Sequence, residues 1–184
     1  MIKLVGLSGY AGSGKDEAAK GLDELGFKRV AFADVLRNMA YAADPYVEHP
    51  FGGFVRLSEI VDQHGWDFVK NNFSDARRLL QRLGTEGGRN ILGENIWVDT
   101  LLNTLEHDKI VVTDVRFVNE MTAIKQRGGI TVRIVRPGVG PRNNHPSETS
   151  LDDATFDRYL LNDGSIEELV NDMQDIVLAT TKVA

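Results

Sequence analysis

A glycine-rich loop fixes most of what this chain can fold into. Gly9, Gly14 and Lys15, in the run Gly9-Tyr-Ala-Gly12-Ser13-Gly14-Lys15-Asp16, have the spacing G-x-x-x-x-G-K. The loop sits between two patterns that give it meaning. Residues 2–7 are almost continuously apolar and stop at Ser8-Gly9, as a strand buried on both faces of a parallel sheet would. After Lys15, the apolar residues Ala18, Ala19, Leu22 and Leu25 recur at helical spacing, with Gly26 where a left-handed helix cap is expected. In a strand, loop and helix of this kind, residues without bulky side chains let successive backbone N–H groups wrap phosphate oxygens. The helix points its positive end at the same place, and the lysine reaches the outer phosphates.

Downstream the alternation continues. Residues 28–32 read as a second strand, followed by a helix through Val35, Leu36, Met39 and Ala40 that ends near Asp44-Pro45. Two prolines, adjacent glycines and several aromatics make 45–54 a loop or hairpin. A helical stretch then covers 57–72, 75–83 and 95–105, interrupted at Gly65 and over 84–93. Strands are expected at 109–114, 130–135 and 159–161, with a helix over 117–126 closed by Gly128-Gly129. Ser165 and Glu168 form a capping-box pattern ahead of Ile166, Leu169, Val170, Met173, Ile176 and Val177, which mark a final helix. The pattern predicts an α/β fold with a parallel sheet covered on both faces, a helical insertion and no second core. Ligands in such sheets lie beyond the carboxyl ends of the strands.

Composition narrows the partners. With 21 Lys plus Arg against 27 Asp plus Glu, a net charge of -6 argues against bulk polynucleotide or anionic lipid binding. The chain has no cysteine, which removes thiolate metal sites and cysteine nucleophiles, and His49, His64, His107 and His145 are too scattered for a short metal motif. The opening Met1-Ile-Lys-Leu carries no leader-like run and no stretch has the length of a membrane span, so a soluble cytoplasmic protein is expected.

Asp16 stands where Ser or Thr is usual in such loops. It is either a hard oxygen ligand for Mg2+, direct or through water, or an acid that favours a helix start. Asp114, at the end of an apolar strand, is either a second acidic group near the metal or a cap. Arg77, Arg78 and Arg82 share one helical segment, Arg116 follows Asp114 by two, and Arg133, Arg136 and Arg142 flank a Pro-Gly turn. Guanidinium groups grip phosphate with paired hydrogen bonds, and transfer between two phosphorylated molecules calls for them. Arg78, Arg116 and Arg136 are expected in that role; Arg29, Arg89, Arg127 and Arg133 are expected to be solvated. Trp97 and Phe54 either stack on a base or pack in the core. His145 lies three residues from Glu148, a spacing that could bring a His and an acid together on one helical turn. A phosphate acceptor is already an anion, so a kinase acting on it needs no strong general base.

The chain resembles the bacteriophage-type deoxynucleoside monophosphate kinases within the P-loop nucleoside monophosphate kinase group. The resemblance is carried by the Gly14-Lys15-Asp16 ending of the loop, Phe32-Ala-Asp34, and Arg77-Arg78-Leu-Leu-Gln81-Arg-Leu-Gly84-Thr85-Glu86. It extends through Trp97-Val98, Asp114-Val-Arg116-Phe-Val-Asn119-Glu120, Val135-Arg136-Pro137-Gly138, His145-Pro-Ser-Glu148 and Asn162-Asp163-Gly164-Ser165.

The resemblance implies a three-layer α/β/α P-loop kinase domain over 1–184 with five parallel strands in order 2-3-1-4-5. It also implies a substrate-binding helical region at about 34–107 and a lid at about 136–150. The implied reaction moves the γ-phosphate of ATP to a deoxynucleoside monophosphate with Mg2+, giving the diphosphate and ADP. The other readings are a P-loop kinase for another phosphorylated small molecule and a non-kinase nucleotide-dependent switch. By position, Gly9, Ala11, Gly12, Ser13, Gly14, Lys15 and Asp16 would hold ATP, joined by Asn162, Gly164 and Ser165 beside the adenine. Asp34, Arg37, Arg78, Gln81, Thr85, Trp97, Asp114 and Arg116 would hold the acceptor. Lys15, Arg78, Arg116, Arg136 and Arg142 would carry catalysis, and Asp16 and Asp114 the metal. At the family level a homodimer is expected and, for a viral protein, the host cytoplasm.

Overall fold

The computed structural model describes residues 2–105 and 107–181. Met1 of the opening run, Glu106 of the helical region and the far end of the 1–184 span lie outside the described residues. In chain order the elements are β1 (Leu4–Ser8), α1 (Lys15–Gly21), β2 (Lys28–Val30), α2 (Phe32–Ala43), β3 (Tyr46–Glu48), β4 (Phe54–Arg56), α3 (Leu57–Asn72) and α4 (Ser74–Arg82). A π-helical turn over Leu83–Leu92 follows, then α5 (Ile96–Asn103), β5 (Ile110–Val112), α6 (Val118–Gln126), β6 (Ile130–Val135), α7 (Pro146–Thr149), β7 (Arg158–Leu161) and α8 (Ile166–Thr181). The chain forms two compact units: one runs to Phe32 and resumes at Thr104, and the other is Ala33–Asn103.

The first unit is built on a parallel sheet in order β2-β5-β1-β6-β7. Counted within the sheet this is 2-3-1-4-5, as expected. β1 is central and buried throughout, which is why its sequence runs apolar without alternation. Val5, Leu7, Val132 and Ile134 pack against Ala18 and Ala19 of α1, Leu22 at its C-terminal cap, and Leu169, Met173 and Val177 of α8. Ile124 of α6 lies over Gly6 of β1. The final helix starts as its cap pattern predicts: the Ser165 N–H and hydroxyl both reach Glu168 Oε2, at 2.7 and 2.9 Å, and the Glu168 N–H donates to Ser165 Oγ at 3.2 Å. The second strand is shorter than expected, because Phe32 already opens α2. No helix among the described residues is long and apolar enough to cross a membrane.

The second unit has a core of its own, contrary to the single core expected. Ala40, Val47, Leu57, Ile60, Val69, Phe73, Ala76 and Leu80 form it. Periodicity reports which face of each helix is apolar but not which faces meet, so the sequence reading merged two cores into one. The aromatic-rich stretch after Pro45 is the antiparallel hairpin β3–β4, with Val47 opposite Val55. Gly65 interrupts α3 with non-helical angles, φ 77° and ψ 161°.

The expected break over 84–93 does not occur; the chain stays helical in the wider π form until Gly93. The glycines there serve close approach. The Trp97 ring rests on Gly88 where a Cβ would stand, and its Nε1–H donates to the Gly84 carbonyl at 2.8 Å. Gly88→Ala is therefore expected to destabilise this unit by about 1–3 kcal/mol through overpacking. Urea unfolding followed by tryptophan emission would show it as an earlier midpoint, and an unchanged midpoint would refute the packing argument.

Candidate active site

The glycine loop joins the carboxyl end of β1 to α1. Gly14, at the helix cap, is left-handed with φ 100°, and a Cβ there would run into the Asn162 amide and Leu169, so glycine is required on two counts. The Ser13 N–H turns back to the Tyr10 carbonyl at 3.1 Å. Among the described residues, the N–H groups of Gly12, Gly14, Lys15 and Asp16 donate to no protein group. Four unclaimed donors at a loop and helix N-terminus form a ready anion cradle.

Lys15 is partly buried and its Nζ donates to the Gly9 and Tyr10 carbonyls at 2.7 and 2.8 Å. Burial, followed by the positive charge of Arg116, pushes its ammonium down to about 8, while Asp16, Glu148 and Asp114 pull the other way. Asp16, Asp114 and Arg116, singled out by motif and spacing, are thus each within electrostatic reach of Lys15. Asp114 Oδ1 accepts the Phe32 N–H at 2.7 Å. The exposed Asp16 carboxylate makes no hydrogen bond or ion pair among the described residues.

Two carboxylates that sequence reasoning gave no role fix Arg116. Buried Glu120 accepts the backbone N–H of Arg116 at 2.6 Å and of Phe117 at 3.1 Å. Glu148, whose side chain is 5% exposed, receives the Arg116 guanidinium at 2.9 Å, and the same Nη1 donates to the Ser147 carbonyl at 3.0 Å. The signals for Glu120 were an acid three residues into a helix start and its place in a motif of the resemblance; those for Glu148 were its nearness to His145 and its place in the His145-Pro-Ser-Glu148 motif. That histidine caps α7, its Nδ1 accepting the Ser147 N–H at 3.2 Å.

Arg133 is not solvated as expected. Its side chain is 13% exposed, pairs with Asp152 at 3.0 Å, and lies over the rings of Tyr10 and Phe156 at 5.0 and 5.6 Å. Tyr10 donates its hydroxyl to Asp152 at 2.6 Å, and that hydrogen bond raises the phenol's pKa. A loop residue is thereby tied to the segment after α7, which no sequence signal indicated.

The remaining expected residues are placed as follows. Arg136 is exposed and reaches the Gly12 carbonyl at 3.4 Å; Arg142 lies exposed in the turn before α7. Gly164 and Ser165 are exposed, the latter occupied in the α8 cap. In the second unit Arg37 pairs with Asp34 at 3.0 Å. Arg78 pairs with Asp75 at 2.5 Å, and the Glu48 backbone N–H, ahead of Arg78 itself, holds the Asp75 carboxyl low. Arg78 and Arg82 line a cavity of about 400 Å³ together with Tyr46, Glu86 and Ile91. Gln81 and Thr85 are half-buried. Trp97, expected either at the base or in the core, is core: it is 6% exposed and its indole N–H is taken by Gly84.

A parallel sheet whose first strand runs into a glycine loop of this spacing at a helix N-terminus defines a P-loop α/β protein. The shikimate kinase from Acinetobacter baumannii in complex with shikimate shares this fold with a TM-score of 0.51 at 14% identity, over 98% of this chain and 95% of that one. Sequence comparison goes further. The deoxynucleotide monophosphate kinase family matches residues 57–173. A protein of Acanthamoeba polyphaga mimivirus, provisionally named a deoxynucleotide monophosphate kinase, is 32% identical over 181 residues, 90% of this chain and 91% of that one. The deoxynucleotide monophosphate kinase of Enterobacteria phage T4 is 33% identical over 131 residues, 66% of this chain and 52% of that protein. The chain thus matches about half the length of the phage relative and nearly all of the mimiviral one. It belongs to the deoxynucleotide monophosphate kinase family.

Proposed function

We propose that the chain transfers the γ-phosphoryl group of ATP to the phosphate of a deoxynucleoside monophosphate, giving the diphosphate and ADP. In a chain of this family, the cradle of unclaimed N–H donors around Lys15 is the observation that supports this reading most. The loop amides hold the donor's phosphates, and Lys15 leaves the Gly9 and Tyr10 carbonyls to meet them. Arg116, oriented by Glu120 and Glu148, and Arg136 oppose the negative charge that the transition state gathers on the moving group.

Asp16 and Asp114 offer only hard oxygen atoms, which suits Mg2+. Among the described residues no set of three or more acidic or histidine side chains forms a metal cage, so nucleotide oxygens and water would complete the shell. Asp16 and Asp114 would hold such an ion, whose charge would offset that of the phosphate oxygens. Asp34, Arg37, Arg78, Gln81 and Thr85 of the helical unit serve the acceptor, and 136–150, with Arg142, is the lid. The span 1–184 then acts as one kinase domain whose acceptor-binding part is the helical region at about 34–107. No general base is needed, because the attacking oxygen is already anionic.

ADP release from Mg-ATP, followed with dAMP, dGMP, dCMP, dTMP and the matching ribonucleotides as acceptors, tests the proposal. Release that depends on one or more deoxynucleotides, and is weaker with ribonucleotides, is expected. ADP release that no acceptor stimulates would overturn it.

A further inference from the structure

Asn162 follows the last residue of β7, and its position is set by the sheet: its backbone N–H donates to the Val135 carbonyl at 2.7 Å, extending the β6–β7 ladder. From there its side-chain amide donates to the Ser13 carbonyl at 2.8 Å, in a buried hydrogen bond. The residue is 9% exposed. The carboxamide also fills the space where a side chain on Gly14 would begin. The sequence places Asn162 in a loop expected beside the adenine; its contacts in the structure are to the glycine loop.

In a trans peptide the C=O and N–H point in opposite directions. The Ser13 carbonyl is turned onto Asn162, so the Gly14 N–H of the same peptide is turned away from it. That N–H donates to no protein group among the described residues. Were the peptide to flip, a carbonyl oxygen would replace this donor in the cradle and repel an anion. We infer that Asn162 is a positioning residue for the phosphate loop: its carboxamide holds the Ser13–Gly14 peptide with the N–H presented to the phosphate chain of a nucleoside triphosphate. The inference rests on the loop binding phosphate, as proposed above, and assigns the orientation of one of its donors to the far edge of the sheet.

The roles of base contact and loop positioner separate with inorganic tripolyphosphate, which has no base. Asn162→Leu removes the donor without adding charge, and Asn162→Asp keeps the shape but sets a carboxylate against the carbonyl. Calorimetric titration of both variants is expected to show tripolyphosphate and ATP weakened by the same factor, about tenfold or more. In turnover, the KM for ATP should rise while the KM for the acceptor stays unchanged. Loss of ATP affinity with tripolyphosphate affinity intact would assign Asn162 to the base and overturn the inference.

Should neither variant fold, the wild-type protein still decides. On titration with tripolyphosphate, the Gly14 amide proton is expected to move downfield in NMR spectra as it gains a charged acceptor, and a Gly14 resonance that does not move would refute the inference. The kinase reading fails separately: tripolyphosphate binding that depends on Asn162, in a protein whose ADP release no acceptor stimulates, would leave the loop positioner standing and remove the reaction.

Discussion

Lys15→Ala is expected to lower kcat/KM for acceptor-dependent ADP formation by about 10³-fold, the scale on which a single preorganised charge acts on a phosphoryl transition state. Loss of the fold is not the reason. The side chain's own bonds are two hydrogen bonds to loop carbonyls, and against them stands the cost of a partly buried ammonium whose pKa is pushed down to about 8, first by burial and then by Arg116. The depressed value fixes the sign of the pH dependence. Between about pH 8 and the ordinary lysine value of 10.5, the unfolded chain binds more protons than the folded one, so this group makes stability rise with pH across that window and fall again towards pH 8.

Phosphate binding reverses the preference, because an anion beside Lys15 favours the charged form. Nucleotide affinity is therefore expected to weaken as pH rises above about 8, and binding there should take up a proton. Calorimetry in two buffers of different ionisation enthalpy reads that proton directly. In Lys15→Met both the uptake and the slope of stability between pH 8 and 10 should disappear. A wild-type protein that binds nucleotide with no proton uptake at pH 8.5 would remove Lys15 from the phosphate site.

The features legible in the sequence are those written in local spacing. The strand, glycine loop and helix around Lys15, and the Ser165–Glu168 cap of α8, each depend on residues a few positions apart, and each is present in the structure. The strand order followed from the resemblance and is the observed one. What escaped depends on neighbours distant in the chain. Glycines 84, 87 and 88 read as a break because a glycine-rich run normally disfavours helix; only Trp97, packed on Gly88 and bonded to Gly84, turns them into a tight helical contact. Arg133 read as solvated because nothing near it in sequence announces Tyr10, Asp152 and Phe156. At the site, composition and motif select Lys15, Asp16, Asp114 and Arg116, the groups proposed to face the reacting phosphates. Glu120, Glu148 and the Asn162 amide stand within motifs that carry the resemblance, but spacing alone gives no sign of the contacts by which they hold Arg116 and the Ser13 carbonyl.

Arg116 shows how far the two kinds of residue can be separated by experiment. Arg116→Ala is expected to cost both activity and stability, by different routes. Activity should fall by about 10²-fold or more if, as proposed, the guanidinium opposes the charge on the moving phosphoryl. Stability should fall by about 1–3 kcal/mol, because Glu148 is left with its carboxylate buried and without its ion-pair partner. Glu148→Gln removes that buried charge. It keeps the Arg116 hydrogen bond to the Ser147 carbonyl, so the single variant should retain most activity with a modest rise in KM as the guanidinium loosens. The double variant Arg116→Ala/Glu148→Gln should recover most of the lost stability in urea unfolding and none of the lost turnover. Two outcomes would break the argument. Recovery of activity in the double variant would mean that Arg116 serves only to neutralise Glu148. Failure to recover stability would mean that the arginine holds α7 through Ser147, with the carboxylate a bystander.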